Sequence, residues 1–358
     1  MKFLSKHCKV RNALALILLC ILIIPSYGCT MLKSPDAKSA ESSGEIKKEA
    51  ALSSWNDTEM KRKIIDFVAS VTDKTKKTFV PEESRIATLD MDGTIICEKP
   101  LWLEMNVAQN YLYEQAVKHP ELLSQQIYQE AYRYHTDPNN PANMEALEND
   151  AVNIMTQAFY PNFSEEDYIG YVKGYIQKNQ NTDYGIKLKQ TFFKPMLDLI
   201  ELLQKNKFKV YIVSGSEEGL IWGTCEDTVA LTREHEIGTL IQLAPRFTTA
   251  SGISAQFIRG NMYLEPRNLK DGKAENIYYR TGKHPIFAFG NTADDYQMLT
   301  YASTNKYTNM ACLLVHDDIK REYDYPDKAD KASIEKTAKD NKWNLVSIKD
   351  NFKVVFNN

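Results

Sequence analysis

The sequence has little of three features that mark common functional classes. Six cysteines occur among 358 residues, and the last three, Cys97, Cys225 and Cys312, stand far apart. This spacing fits neither a disulfide framework nor a zinc site, so we expect buried free thiols. There is no basic stripe interleaved with aromatic residues, and the net charge is −3. The composition therefore argues against a nucleic-acid-binding protein.

Long apolar runs are also scarce, and the longest lies at the N-terminus. Four basic residues precede ALALILLCILII at 13–24, which leads into Pro-Ser-Tyr-Gly-Cys. About a dozen apolar residues are too few to span a bilayer stably, so residues 1–28 are predicted to be a secretory signal. An uncleaved membrane anchor is the alternative. Cleavage would leave 40 basic residues against 47 acids, a net charge of −7.

The end of this segment predicts export with a lipid anchor. Ser26 to Cys29 resemble a bacterial lipoprotein cleavage box, which would make Cys29 the lipid attachment site. Ser26 and Gly28 would also suit ordinary signal peptidase. A lipid at Cys29 would tether the chain to a membrane surface without a spanning segment. The polar stretch 29–54 is predicted to be a flexible tether, and the protein to be periplasmic or tethered to the outer membrane.

From residue 55 onward, apolar strands alternate with helices. Cap residues at 55–58 precede a helical apolar pattern, and a strand over 85–89 ends at Asp90. Later strands are predicted within FKVYIVSGS, HPIFAFGN and ACLLVHDD, and residues 237–265 alternate as in a β-hairpin or small sheet. This order is typical of an α/β fold with a parallel sheet. Residues 55–99 and 191–358 are predicted to form that core.

The stretch 100–190 differs from the rest of the chain in composition and periodicity. It is rich in Gln, Tyr, Leu and Glu, has almost no glycine, and shows helical periodicity. We predict a helical domain inserted into the α/β core at this point. Such an insert could act as a cap that closes over a small substrate and excludes macromolecules.

Polar residues follow the predicted strands where each strand ends. In parallel sheets, ligands bind beyond the carboxyl ends of the strands. Converging acids suit a hard cation such as Mg²⁺, whereas a lysine and a Ser-Gly turn suit phosphate. Together they are typical of phosphoryl transfer, where positioning and charge neutralisation do most of the work. The residues are Asp90, Asp92, Ser214, Lys273, Asn291, Asp294 and Asp295.

Four motifs carry a family resemblance. DMDGT, VSGS, GKAENI and GNTADD, in this order, resemble the motifs of the haloacid dehalogenase (HAD) superfamily. The resemblance extends from Trp55 to the C-terminus and is to a secreted bacterial branch described as phosphoserine phosphatase-like. It implies a Rossmann-like three-layer core with a parallel sheet, a helical cap insert and a small β-hairpin insertion.

The resemblance also implies roles for individual residues. Asp90 would be the nucleophile that forms an aspartyl-phosphate, and Asp92 the general acid and base. The phosphate would be bound by Ser214, Gly215 and Lys273. Thr94 would brace the loop and is counted among the phosphate-binding residues. Mg²⁺ would be held by Asp90, the carbonyl of Asp92, Asn291 and Asp295.

Asn291 departs from the superfamily pattern, which commonly has aspartate directly after the glycine. An amide supplies an oxygen but no charge, so Asp295 is expected to supply the anionic part, and metal binding is expected to be looser. Just after the first strand, Glu98 and Trp102 could approach the leaving group.

The expected activity is Mg²⁺-dependent hydrolysis of a small phosphomonoester. A carbon–halogen hydrolase on the same scaffold is one alternative, but halide leaves without a proton and would make Asp92 dispensable. A non-catalytic binding lipoprotein is the other. A serine hydrolase is not supported, because VSGSEEG lacks the G-x-S-x-G spacing.

Overall fold

A computed structural model describes residues 51–249, 254–323 and 328–357, without the side chains of 328–331. The predicted signal, Cys29 and nearly all of the predicted tether lie outside the described residues. The strands are β1 (Ile86–Leu89), β2 (Gln180–Asn181), β3 (Ile186–Lys187), β4 (Lys209–Glu217), β5 (Glu236–Thr239), β6 (Ile241–Thr248), β7 (Ser254–Tyr263), β8 (Phe287–Gly290), β9 (Met310–Val315) and β10 (Asn344–Ser347).

The helices alternate with these strands in the core and follow one another in the insert. They are α1 (Glu59–Thr72), α2 (Leu103–Lys118), α3 (Gln126–Thr136), α4 (Pro141–Asn149), α5 (Ala151–Gln157), α6 (Glu165–Lys178), α7 (Lys194–Lys205), α8 (Glu218–Cys225), α9 (Asp271–Thr281), α10 (Tyr296–Ser303), α11 (Lys328–Asp340) and α12 (Ile348–Asn351). No helix of the described part is both long and apolar enough to cross a membrane.

Six strands form one parallel sheet in the order β10-β9-β8-β1-β4-β5. Strands β1, β8 and β9 are buried along their whole length, as expected for a parallel sheet covered on both faces. The chain runs outward from β1 through β4 to β5, then returns to β8 on the other side of β1. This reversal between β1 and β8 is the position at which open α/β sheets bind ligands.

Helices cover both faces of the sheet. One face packs against α1 and α7 through residues such as Leu89, Ile212 and Phe289, and the other packs against α9 and α10 through residues such as Tyr211 and Leu313. Helix α1 begins where the sequence predicts, with Thr58 accepting a hydrogen bond from the Lys61 amide as its N-cap. The predicted α/β fold class is thereby confirmed.

The stretch 100–190 contains five helices, α2 to α6, and the short antiparallel pair β2–β3. The helical character predicted for 100–190 is therefore observed, whereas its existence as a separate domain stays a prediction. The three cysteines Cys97, Cys225 and Cys312 are free and buried, as predicted.

The region 237–265 differs in part from its prediction. Its first residues lie in β5, which extends the main parallel sheet, and the antiparallel hairpin of β6 and β7 begins only at Ile241. The segment Ser214–Ser216 was predicted to be a turn but continues β4 as far as Glu217. The pairing of β4 with β5 shifts in register between Val213 and Glu217, so this segment leaves the regular ladder within the strand.

Candidate active site

A cavity of about 320 Å³ lies at the carboxyl ends of β1 and β4. Helices α2 and α5 of the insert contribute part of its wall. The residues that line it are Asp90, Asp92, Glu98, Trp102, Glu104, Ala151, Val152, Met155, Ser214, Gly215, Ser216, Arg267, Leu269, Lys273, Thr292 and Asp294. The structure thus brings together residues that are nearly 200 positions apart in the sequence.

Lys273 joins the first and last motifs. Its Nζ lies 2.6 Å from Asp90 Oδ1 and 2.5 Å from Asp295 Oδ1. Its side chain is 2% exposed, so both ion pairs are shielded from solvent. Burial lowers the pKa of this ammonium, but the charges of Asp295 and Asp90 outweigh burial and hold the pKa above its usual range. Lys273 is therefore charged.

The negative charge around Asp90 is greater than one lysine neutralises. Its other oxygen, Oδ2, accepts a hydrogen bond from Thr94 Oγ at 3.1 Å. Burial, followed by the charge of Asp295, raises the pKa of Asp90 well above its usual value, while Lys273 acts in the opposite direction. One cation facing two buried carboxylates leaves the site short of positive charge.

Asp92 lies two residues further on in a different environment. Its Oδ2 accepts hydrogen bonds from Ser216 Oγ at 2.8 Å and from Ser214 Oγ at 3.4 Å. Burial raises the pKa of Asp92 to about 6, the bond from Ser216 lowers it, and the charge of Glu98 raises it. A carboxyl group with this pKa exchanges a proton readily near neutrality.

The turn that carries these acids depends on Gly93. Its φ is +72°, and a Cβ at this position would lie 2.0 Å from Asn291 Nδ2. Glycine thus permits both the left-handed backbone and the close approach of the last motif.

His316 contacts the same turn. Its Nε2 lies 2.8 Å from the carbonyl oxygen of Gly93, and its Nδ1 lies 2.8 Å from Glu322 Oε2.

Thr94 braces the loop but does not line the cavity. It is fully buried, and its hydroxyl lies 3.1 Å from Asp90 Oδ2 and 3.3 Å from Asn291 Oδ1. The hydroxyl thus contacts the acid and the amide, and the grouping of Thr94 with the phosphate ligands stays a prediction. Ser214, Gly215 and Lys273 do line the cavity, as do Glu98 and Trp102.

The side chains predicted to bind the metal lie close together, but both oxygens of Asp295 already accept hydrogen bonds from other groups. Asp90 and Asn291 share the Thr94 hydroxyl, which places a carboxylate oxygen and an amide oxygen side by side. Asp295 Oδ2 accepts hydrogen bonds from the amides of Asn291 and Thr292, and its Oδ1 accepts from Lys273. Within the described residues, no group of three His, Cys, Asp or Glu side chains is arranged to hold a metal.

This donor set consists of oxygens only, which Mg²⁺ prefers, since Mg²⁺ keeps several waters and needs few protein ligands. The shortage of positive charge around Asp90 also favours a cation. On both counts the residues fit a magnesium ion, for which Asp90 and Asn291 would supply side-chain oxygens, while Asp295 accepts hydrogen bonds on both of its oxygens.

Ser216 and Glu104 are two of the cavity-lining side chains that sequence reasoning missed. Ser216 makes the shorter of the two serine contacts to Asp92, and its position two residues after Ser214, on the same face of β4, was a usable signal. Glu104 is 4% exposed and accepts hydrogen bonds from Tyr263 Oη and from the Glu217 amide. No local pattern marks Glu104, because its partners lie more than 100 residues away.

No protein-family model and no curated protein matches this chain. Solved structures share its fold. A conserved protein of unknown function from Anaerococcus prevotii DSM 20548 has a TM-score of 0.50 at 14% identity, over 80% of this chain and 91% of that chain. This likeness supports the α/β fold and leaves the activity to be argued from the site.

Two further structures are similar to a lesser degree. A cytosolic 5′-nucleotidase IIIB bound to cytidine has a TM-score of 0.41 at 12% identity, over 80% of this chain and 93% of that chain. A phosphoserine phosphohydrolase-like protein from Francisella tularensis subsp. tularensis SCHU S4 has a TM-score of 0.32 at 12% identity, over 64% and 87%.

Proposed function

We propose that this protein is a phosphomonoester hydrolase of the HAD type that acts on a small phosphorylated metabolite with Mg²⁺ as cofactor. The observation that carries the proposal is the different surroundings of Asp90 and Asp92 in one cavity. Asp90 contacts Lys273 and Thr94, whereas Asp92 contacts two serine hydroxyls and has a pKa of about 6. Two neighbouring carboxyl groups with separate environments suit a nucleophile and a proton donor.

In this reaction, a carboxylate oxygen of Asp90 attacks phosphorus and the bond to the ester oxygen breaks. Asp92 donates its proton to the departing oxygen, which leaves as an alcohol. A water molecule then attacks the phosphorus of the aspartyl-phosphate while Asp92 accepts a proton from it, which restores both acids and releases phosphate. Lys273 and the Ser214–Gly215 segment, which line the cavity, would bind the phosphoryl oxygens.

Mg²⁺, when bound by Asp90, Asn291, the Asp92 carbonyl and Asp295, would add positive charge next to the phosphoryl group. Asp90 is already oriented by Lys273 and Thr94, so the chain itself fixes the direction of attack. The size of the cavity favours a small substrate, and Trp102, Val152 and Met155 of the insert give one wall an apolar surface.

The proposal is tested with a panel of phosphomonoesters, with and without Mg²⁺, on the wild type and on Asp90→Asn. We expect Mg²⁺-dependent release of phosphate that Asp90→Asn abolishes. Asp57→Asn is the matched control, because this acid is 82% exposed and does not line the cavity, so the variant should keep the activity of the wild type. If no ester is turned over in an Asp90-dependent manner, the protein is not a phosphatase.

A carbon–halogen hydrolase on the same scaffold is distinguished by Asp92. A phosphatase needs this group for an alcohol leaving group, so Asp92→Asn should lose far more activity on an alkyl phosphate than on an aryl phosphate whose leaving group is a weak base. Turnover of a 2-haloacid that survives Asp92→Asn would favour the dehalogenase.

We further propose that the chain is exported and tethered to a membrane by lipid at Cys29. The support is the sequence of the basic, apolar and small-residue regions at 1–29. Metabolic labelling with a fatty acid should mark the wild type but not Cys29→Ala. Release of unlabelled wild type in soluble form would instead indicate cleavage by ordinary signal peptidase.

A further inference from the structure

Arg259, on β7 of the hairpin, lies at the centre of a buried cluster of charges beside the cavity. Its side chain is 1% exposed. Its two terminal nitrogens each lie 2.5 Å from one oxygen of Glu217, and Nη1 also lies 2.5 Å from Glu165 Oε2. The guanidinium carbon lies 3.7 Å from the centre of the Tyr168 ring. The mechanism proposed above assigns none of these groups a role.

This guanidinium connects three separate parts of the chain. Glu217 is the last residue of β4, Glu165 is the first residue of α6 in the helical insert, and Arg259 belongs to the hairpin. The backbone amide of Arg259 also donates to the carbonyl of Phe163 at 3.0 Å, just before α6. A planar guanidinium can bind two carboxylates in fixed orientations, which a lysine cannot do.

The cluster continues into the cavity by two short routes. Glu217 directly follows Ser216, whose hydroxyl lies 2.8 Å from Asp92 Oδ2. The Glu217 amide donates to Glu104 Oε2 at 3.1 Å, and Tyr263, four residues after Arg259, donates to Glu104 Oε1 at 2.5 Å. The hairpin therefore holds both Glu104, which lines the cavity, and the residue next to Ser216.

The position of the end of β4 depends on Arg259 because buried carboxyl groups surround this segment. Glu165 and Glu217 are buried carboxyl groups that share one guanidinium, and Glu104 is a third buried carboxyl group, bound to the Glu217 amide. Burial together with the charge of Glu217 raises the pKa of both Glu104 and Glu165 to about 7. Without the guanidinium, Glu217 would be a buried carboxylate with no cation beside it, which is costly and favours its movement towards water. Such a movement would displace Ser216.

We propose that Arg259 is a positioning residue that fixes the end of β4, and with it Ser216 and Glu104, against the reacting groups while it fastens helix α6 over the same segment. The hairpin insertion thereby stabilises the cavity wall, although none of its described residues lines the cavity. This inference rests on the proposed phosphatase function only where its test measures kcat.

The test compares Arg259→Met and Arg259→Lys with Arg233→Gln in the full chain. Arg233 is the matched control, since it pairs with Glu166, the neighbour of Glu165 on α6, but at an exposed position. We expect Arg259→Met to lower kcat by about 10²-fold, as misplacement by about 1 Å can do. Arg259→Lys should recover part of that loss, and Arg233→Gln should behave as wild type.

Hydrogen exchange measured by mass spectrometry provides a readout that needs no activity. Amides of 214–217 and 163–168 should exchange faster in both Arg259 variants, while the strands β1 and β8 exchange as in wild type. If Arg259→Met does not fold, Glu217→Gln replaces it, because this change keeps the volume and one acceptor but weakens the same contact. We expect it to speed the exchange of 214–217.

Folded variants that leave kcat and the exchange of 214–217 unchanged would overturn the proposal. A uniform rise in exchange across the molecule would also overturn it, since that result indicates a merely structural role. If the wild type turns over no phosphoester, the proposed function fails, yet the local exchange result still decides whether Arg259 holds this segment.

Discussion

The hydroxyl of Ser216 lies 2.8 Å from Asp92 Oδ2, across 124 positions of sequence. This contact lowers the pKa of Asp92, against the burial that raises it to about 6. It is the shorter of two serine contacts to the same oxygen. The proton donor of the proposed reaction is therefore adjusted by a residue of a different strand.

Removing this hydroxyl gives the first prediction. Ser216→Ala should raise the pKa of Asp92, so the limb of the pH–rate profile that reports Asp92 should move to higher pH. A hydrogen bond to a charged group is worth about 1.5–3 kcal/mol, so kcat should fall by about tenfold or more. Ser214→Ala, which removes the contact at 3.4 Å, should move the limb less. Equal shifts in the two variants would contradict the assignment.

Asn291 provides a prediction on the metal. Asn291→Asp adds a charge beside Asp90, and an added anionic ligand should lower the Mg²⁺ concentration for half-maximal activity by about tenfold. The measurement is a magnesium titration of activity. Asn153→Asp adds the same charge at an exposed position of α5 and should leave the titration as in wild type. An unchanged Mg²⁺ dependence in Asn291→Asp would mean that the amide does not weaken metal binding.

Gly93 and Gly185 form a matched pair for testing the tight turn. Both have positive φ, +72° and +63°, but a Cβ at Gly93 would meet Asn291 Nδ2 at 2.0 Å, whereas none lies within 4 Å at Gly185. Gly185→Ala should cost only the left-handed backbone penalty, about 1–2 kcal/mol. Gly93→Ala should cost more in thermal unfolding and also abolish activity. Similar losses of stability in both would show that the loop can make room.

The carboxyl groups around Arg259 predict a fall in stability with rising pH. Glu104 and Glu165 have pKa values of about 7 in the folded chain, against 4.5 ordinarily. The folded state thus holds protons more tightly than the unfolded state. This contribution is complete below about pH 4.5 and is lost as the pH rises through 7, with a magnitude on the order of 1–3 kcal/mol for each group.

Chemical denaturation from pH 5 to 8 measures this effect. Groups that face Glu104 are Glu217, Tyr263 and Asp92, and those that face Glu165 are Glu217, Arg259 and Glu166. Glu104→Gln and Glu165→Gln should each flatten the fall in the free energy of unfolding, because glutamine does not titrate. Glu166→Gln, at a position 72% exposed, should leave the slope unchanged.

Much of the fold could be predicted from local patterns. The helix after Thr58, the strands that precede Asp90 and Asn291, and the helical insert follow from apolar periodicity and capping, which act over a few residues. The position of the candidate site could be predicted too, because parallel strands bring their carboxyl ends to one edge of the sheet.

The hairpin boundary could not be predicted in the same way. Residues Glu236–Thr239 alternate much as the following strand does, but they pair with β4 in the main sheet. Alternation indicates a strand without indicating its neighbour, since pairing depends on which distant element is adjacent. The contacts of Thr94 were likewise decided by packing, because its hydroxyl lies 3.1 Å from Asp90 Oδ2 and 3.3 Å from Asn291 Oδ1.

The sequence by itself determined the order of the motifs and the acids at the end of β1, and it predicts the class of chemistry proposed for them. Only the tertiary structure decided which distant residues meet. Lys273 pairs with both Asp90 and Asp295, and Ser216 contacts Asp92. Arg259 pairs with both Glu165 and Glu217. The reason is physical. Turns and helices depend on neighbours along the chain, whereas the stability of a buried charge depends on which opposite charge the completed fold places within reach.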